Sequence, residues 1–122
     1  MARIQIIEQM DEIAQLIAHV VKGLGHEPVW GLDARAGEID AVVVEPGFPG
    51  GLEAAQALRA ESAELPIVIA SIYPKSPETL ALEPSAYIVK PFRLTELEQA
   101  ITAALASRRP RLVSAGGELT SV

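Results

Sequence analysis

The chain is 122 residues long, which allows one domain of ordinary size built around a single core. Its composition, 49% apolar and 21% charged, is globular, and a net charge of −6 with one basic cluster (Arg108, Arg109 and Arg111) argues against a nucleic-acid-binding face. Cysteine is absent, which excludes disulfides, thiolate nucleophiles and Cys-rich metal sites. No apolar run nears the roughly 18 residues of a membrane span, and Met1-Ala2-Arg3-Ile4-Gln5 lacks a signal-peptide pattern, so a cytoplasmic domain is expected.

Ile4-Gln5-Ile6-Ile7 is short, β-branched and ended by Glu8, and reads as a buried strand. Met10, Ile13, Leu16, Ile17, Val20, Val21 and Leu24 then recur at three- and four-residue steps. That is the apolar stripe of a helix, opened by Asp11 and Glu12 and stopped around Gly23 and Gly25. Pro28-Val29-Trp30 is a short strand candidate, and Gly31 to Glu38 leaves room for a single helical turn. Ala41-Val42-Val43-Val44 is apolar without alternation, as in a parallel sheet buried on both faces.

Pro46 to Gly51 reads as a loop, and Leu52 to about Glu61 has helix-forming composition. Pro66-Ile67-Val68-Ile69-Ala70 is another buried strand, after which prolines 74, 77 and 84 confine any helix to a piece near Glu78–Leu82. Ala86-Tyr87-Ile88-Val89 is the last strand. The final helix is expected to begin near Thr95, where Thr95-Glu96-Leu97-Glu98 fits a capping box, with Leu94, Leu97, Ile101, Ala104 and Leu105 on one face. Arg108 and Arg109 suit its C-terminal end, and Pro110 lies just beyond. Residues 1–108 therefore read as the domain and 109–122 as a flexible tail.

Strands alternating with helices imply an α/β fold, a parallel sheet covered on both sides. In such sheets ligands gather beyond the carboxyl ends of the strands. Those ends carry Glu8, Glu45, Ser71 and Lys90 in this chain. Singly, each is an ordinary solvated strand end. Together they bring two carboxylates, a hydroxyl and an ammonium to one rim.

From Arg3 to Ala106 the pattern resembles the receiver domain of two-component response regulators. Lys90-Pro91-Phe92 after Tyr87-Ile88-Val89 is the most specific element, followed by Pro49 four residues beyond Glu45 and by Ser71 closing Ile67-Val68-Ile69-Ala70. The resemblance implies a flavodoxin-like, doubly wound sheet of five parallel strands in the order 2-1-3-4-5. In that family an aspartate after the third strand accepts a phosphoryl group from a histidine kinase. Magnesium, held by that aspartate and an acidic pair after the first strand, neutralises the phosphoryl oxygens. The lysine and a Ser or Thr hydroxyl read the new charge, and an aromatic residue, matched by Tyr87, moves with the hydroxyl.

The departures from the pattern fall on the chemistry. The acceptor position holds Glu45, whose extra methylene carries the carboxylate about 1.3–1.5 Å outward, where in-line attack tolerates little misplacement. The acidic pair is reduced to Glu8 followed by Gln9, so magnesium binding is expected to be weak or absent, and no other cofactor is expected. The residues that read a negative charge, Ser71, Tyr87 and Lys90 with its neighbour Pro91, are kept. Asp40 falls at the start of the third strand, the wrong end for an acceptor.

The chain therefore reads as a stand-alone, atypical receiver that is not an enzyme and acts by protein contact, independently of phosphorylation. Its expected partner is a histidine kinase or a downstream signalling protein, with a homodimer as a further option. Glu45 stands either for the phosphorylated aspartate, reaching Lys90 and Ser71, or for a plain ion pair with Lys90. The rivals are a conventional phospho-accepting receiver, a dimerising adaptor with an idle site, and a small flavodoxin-like enzyme. The last is disfavoured because Glu8-Gln9-Met10-Asp11-Glu12 would repel a flavin phosphate and no G-x-S-x-G elbow is present. The family's second helix is nearly lost between Leu32 and Asp40 and its fourth is proline-broken. Ile72, Tyr73, Leu80 and Leu82 are then left either as an exposed patch or as a compact irregular segment.

Overall fold

The computed structural model describes residues 1–107. Its elements are β1 (Arg3–Ile7), α1 (Asp11–Gly23), β2 (Glu27–Trp30), a 3-10 turn (Ala36–Glu38), β3 (Ala41–Val44), α2 (Gly51–Glu61), β4 (Ile67–Ser71), α3 (Pro77–Leu80), β5 (Ala86–Val89) and α4 (Leu94–Ser107). The five strands are all parallel, in the order β2-β1-β3-β4-β5, as expected for a flavodoxin-like sheet. The tail read over 109–122 and the arginines after α4 lie outside the described residues.

Why these segments form a sheet follows from their burial. β3 and β4 are buried at every position, which matches their unbroken apolar runs. Ile4, Ile6, Val43 and Val68 face α1 and α4, where Ile17, Val21, Leu97 and Ile101 complete one core. Ile7, Val42, Val44, Ile67 and Ile69 face the other way, onto α2, the 3-10 turn and Leu82. Each fully buried Ile or Leu contributes about 1.5–3 kcal/mol relative to exposure, so both layers are needed.

The connection from β2 to β3 holds its place by polar contacts in lieu of a full helix. Glu61 on α2 accepts from Ala36 N–H at 2.8 Å and pairs with Arg35 at 2.6 Å. Gln5, fully buried in β1, donates to the Gly31 carbonyl at 2.7 Å, while its Oε1 has no partner. β2 is one edge of the sheet. Glu27 N–H donates to Ala2 O, and alternate residues of a parallel ladder face the same neighbour, so Pro28 and Trp30 turn their backbone outward.

Several expectations are corrected. Met10 and Leu16 stay 57% and 36% exposed, because Met10 lies outside α1 in extended conformation and Ala14 and Ala18 take the helix's buried arc. α4 starts one residue before Thr95, and its first turn is closed by Glu96 accepting from Arg93 N–H at 2.7 Å, not by a Thr95 cap. α3 runs Pro77–Leu80 because Ser76 caps it, its hydroxyl accepting from Thr79 N–H, with Pro77 at the first helical position. Leu82 then falls past the helix and is buried, whereas Ile72, Tyr73 and Leu80 are exposed. Trp30, at the end of the edge strand β2, is half-exposed. Among the described residues no helix is long and apolar enough to cross a membrane.

Candidate functional site

The ladders position the site before any side chain is considered. Glu45 N–H donates to Ile7 O at 2.9 Å, which places the residue after β3 against the end of β1. Lys90 N–H donates to Ser71 O at 2.8 Å, which places the residue after β5 against the end of β4. Glu8, Glu45, Ser71 and Lys90 therefore meet on one rim. Their side chains touch.

Glu45 is the hub, with its side chain only 8% exposed. One carboxylate oxygen, Oε2, accepts from Ser71 Oγ and from Gly47 N–H, both at 2.8 Å. The other, Oε1, accepts from Ile72 N–H at 3.2 Å and from Lys90 Nζ at 3.1 Å. Lys90 also pairs with Glu8 Oε1, and the Glu8 and Lys90 side chains are 2% and 9% exposed. Glu8 Oε2 accepts from Met10 N–H at 3.1 Å. Burial alone would push the Glu45 carboxyl up, but the Gly47 amide, the Ser71 hydroxyl and the Lys90 ammonium together hold it below the usual carboxylate range.

The loop after β3 makes this approach possible. At Gly51 an added Cβ would lie 2.5 Å from the Glu45 carbonyl oxygen, so only glycine lets α2 begin so close. Gly50 before it has φ +92°, the left-handed conformation that favours glycine.

Ser71 and Tyr87, read from the sequence as switch residues, are linked to the hub. Ser71 Oγ accepts from Tyr73 N–H at 3.1 Å, which leaves its proton for Glu45. Tyr87 is half-buried, its ring against the second core and its hydroxyl donating to Tyr73 O at 2.8 Å. Lys75 Nζ stands 6.0 Å from the Tyr87 ring centroid. Two of the singled-out residues stay outside the cluster. Gln9 and Pro91 are exposed. Asp40 binds Arg3 N–H at the opposite, amino end of the sheet.

Sequence reasoning missed Gly47, Ile72 and Tyr73 as members of the site. All three act through backbone N–H groups, which every residue type but proline carries, so residue identity gives no signal. Among the described residues no three His, Cys, Asp or Glu side chains come together as a metal site. The donor set fits magnesium poorly for a positive reason: the Lys90 ammonium already bridges the two carboxylates that would hold it.

No protein-family model matches the sequence, and no curated protein matches it. Solved structures do. A LuxR-family two-component response regulator from Aurantimonas sp. SI85-9A1 is 28% identical, with a TM-score of 0.71 over 88% of this chain and 87% of that one. A CheY-like receiver domain protein from Methanospirillum hungatei JF-1 is 19% identical, with a TM-score of 0.73 over 87% and 94%. NtrX from Brucella abortus is 21% identical with a TM-score of 0.73, and the match spans 88% of this chain but 26% of NtrX. The fold is that of a response-regulator receiver domain, the module of two-component signalling.

Proposed function

We propose that the chain is an atypical receiver domain in which Glu45 replaces phosphorylation as the source of charge at the switch. The observation that carries this reading is the saturation of Glu45: its two oxygens are met by Ser71, Gly47, Ile72 and Lys90. A nucleophile needs a free lone pair aimed at the incoming phosphorus, and this carboxylate has its lone pairs engaged. The two carboxylates around Lys90 also leave the cluster with excess negative charge, which opposes an arriving phosphoryl donor. Glu45 thus combines both sequence readings, reaching Ser71 as a phosphorylated aspartate would while pairing with Lys90.

Output passes through protein contact. Ile72, Tyr73, Leu80, Val89 and Leu94 are 41–60% exposed around the ends of β4 and β5, an apolar surface suited to a signalling partner. Intact-mass spectrometry after incubation with acetyl phosphate and magnesium checks the reading. No phosphoryl addition is expected on the natural chain. Stoichiometric, hydroxylamine-labile addition at Glu45 overturns it. Glu45→Ala is expected to change partner binding, and unchanged binding would make the site idle.

A further inference from the structure

Gly47 and Tyr73 make a contact that the fold alone does not demand. A Cβ at Gly47 would lie 2.7 Å from Tyr73 Cε2, 2.9 Å from its Cδ2 and 3.0 Å from Glu45 Oε2. The tyrosine ring therefore rests on the Gly47 backbone beside the carboxylate, although the residue is 54% exposed. Its own backbone is tied at both ends, N–H to Ser71 Oγ and carbonyl to the Tyr87 hydroxyl. The ring also walls a groove of about 360 Å³ that Pro46, Gly47, Ser71, Pro74 and Tyr87 help to line. The groove and the Glu45 carboxylate meet at this ring.

We propose that Tyr73 is the gate of the Glu45 site: seated on Gly47, its ring closes the carboxylate off from the groove, and the Tyr87 hydroxyl anchors the backbone that carries it. This deepens the reading above, on which it rests for its meaning, by naming what controls access to the charge. Because the outer face of the ring belongs to the exposed apolar surface, a partner that covers Tyr73 would hold the gate shut. Gly47 is a requirement of the device, since any side chain there displaces the ring.

The test is amide exchange with solvent by NMR on the unmodified protein, which reads the gate whether or not phosphorylation occurs. In Tyr73→Ala the Gly47 and Ile72 amides, both bonded to Glu45, are expected to exchange about tenfold faster, with Val42, Val43 and Val44 in β3 unchanged. Gly47→Ala pushes the ring away and also crowds Glu45 Oε2, so it should accelerate the two amides at least as much. Tyr73→Phe keeps the ring and should match the natural chain, and Tyr87→Phe should give a smaller acceleration. Unchanged Gly47 and Ile72 exchange in Tyr73→Ala overturns the proposal, as does acceleration shared by β3, which would mean general loosening. Phosphoryl addition to the natural chain with these exchange results intact would remove the reading above and leave the gate standing.

Discussion

At the scale of single residues, the site is an electrostatic arrangement with two consequences. The Glu45 carboxyl has a lower pKa folded than unfolded, so its ionised form binds the folded chain more strongly. That stability is fully present above the ordinary carboxylate range and is lost as pH falls through the lower folded value. Urea unfolding across an acid pH series should therefore show a drop that Glu45→Gln removes, with the Glu45 carboxyl carbon titrating below exposed glutamates in NMR. Lys90 has the opposite role, as the shared cation of two buried carboxylates. Lys90→Met should cost about 3–5 kcal/mol in the same unfolding assay, because it leaves buried charge without its partner.

Elements show how much of this was legible beforehand. β3 and β4 fall where their apolar runs lie, because a short, unbroken and largely β-branched run matches a strand buried on both faces. The convergence of Glu8, Glu45, Ser71 and Lys90 was legible too, since parallel strands bring their carboxyl ends together. The loop contacts were not. The tie of Arg59 is an example: its guanidinium donates to the carbonyls of Leu82, Ser62, Ala63 and Glu83, locking the end of α2 to the segment between α3 and β5. All four acceptors are backbone atoms, invisible in residue identity, and Arg59 alone looks like a solvated helix residue. Arg59→Ala leaves them without that donor and should lower stability by about 1–3 kcal/mol, with crosspeak shifts centred on Leu82 to Ser85.

For the whole molecule, the division of labour is between a buried central sheet and two short crossings. The 3-10 turn and α3 are only 3 and 4 residues long, and Glu61, Gln5 and Ser76 supply polar ties that keep each segment in place. Burial of Leu82 shows that the proline-rich stretch was half compact and half exposed, an outcome that spacing alone could not decide because the chain reverses within it.

The outward-facing Pro28 on β2 bears on how the protein behaves in a crowd. A parallel sheet that ends in a bare strand offers its unused amides to any extended chain nearby, and such recruitment is how native domains seed fibrils. Along this edge the proline has no hydrogen to offer, so a docking strand finds a donor at Trp30 but none at position 28. The missing amide acts as a guard against templating, and it sits beside the exposed Trp30 side chain, where apolar attraction would otherwise help a second chain to land. Pro28→Val restores the donor. Under gentle agitation it should shorten the thioflavin lag time relative to the natural chain, and an unchanged lag would place the protection elsewhere.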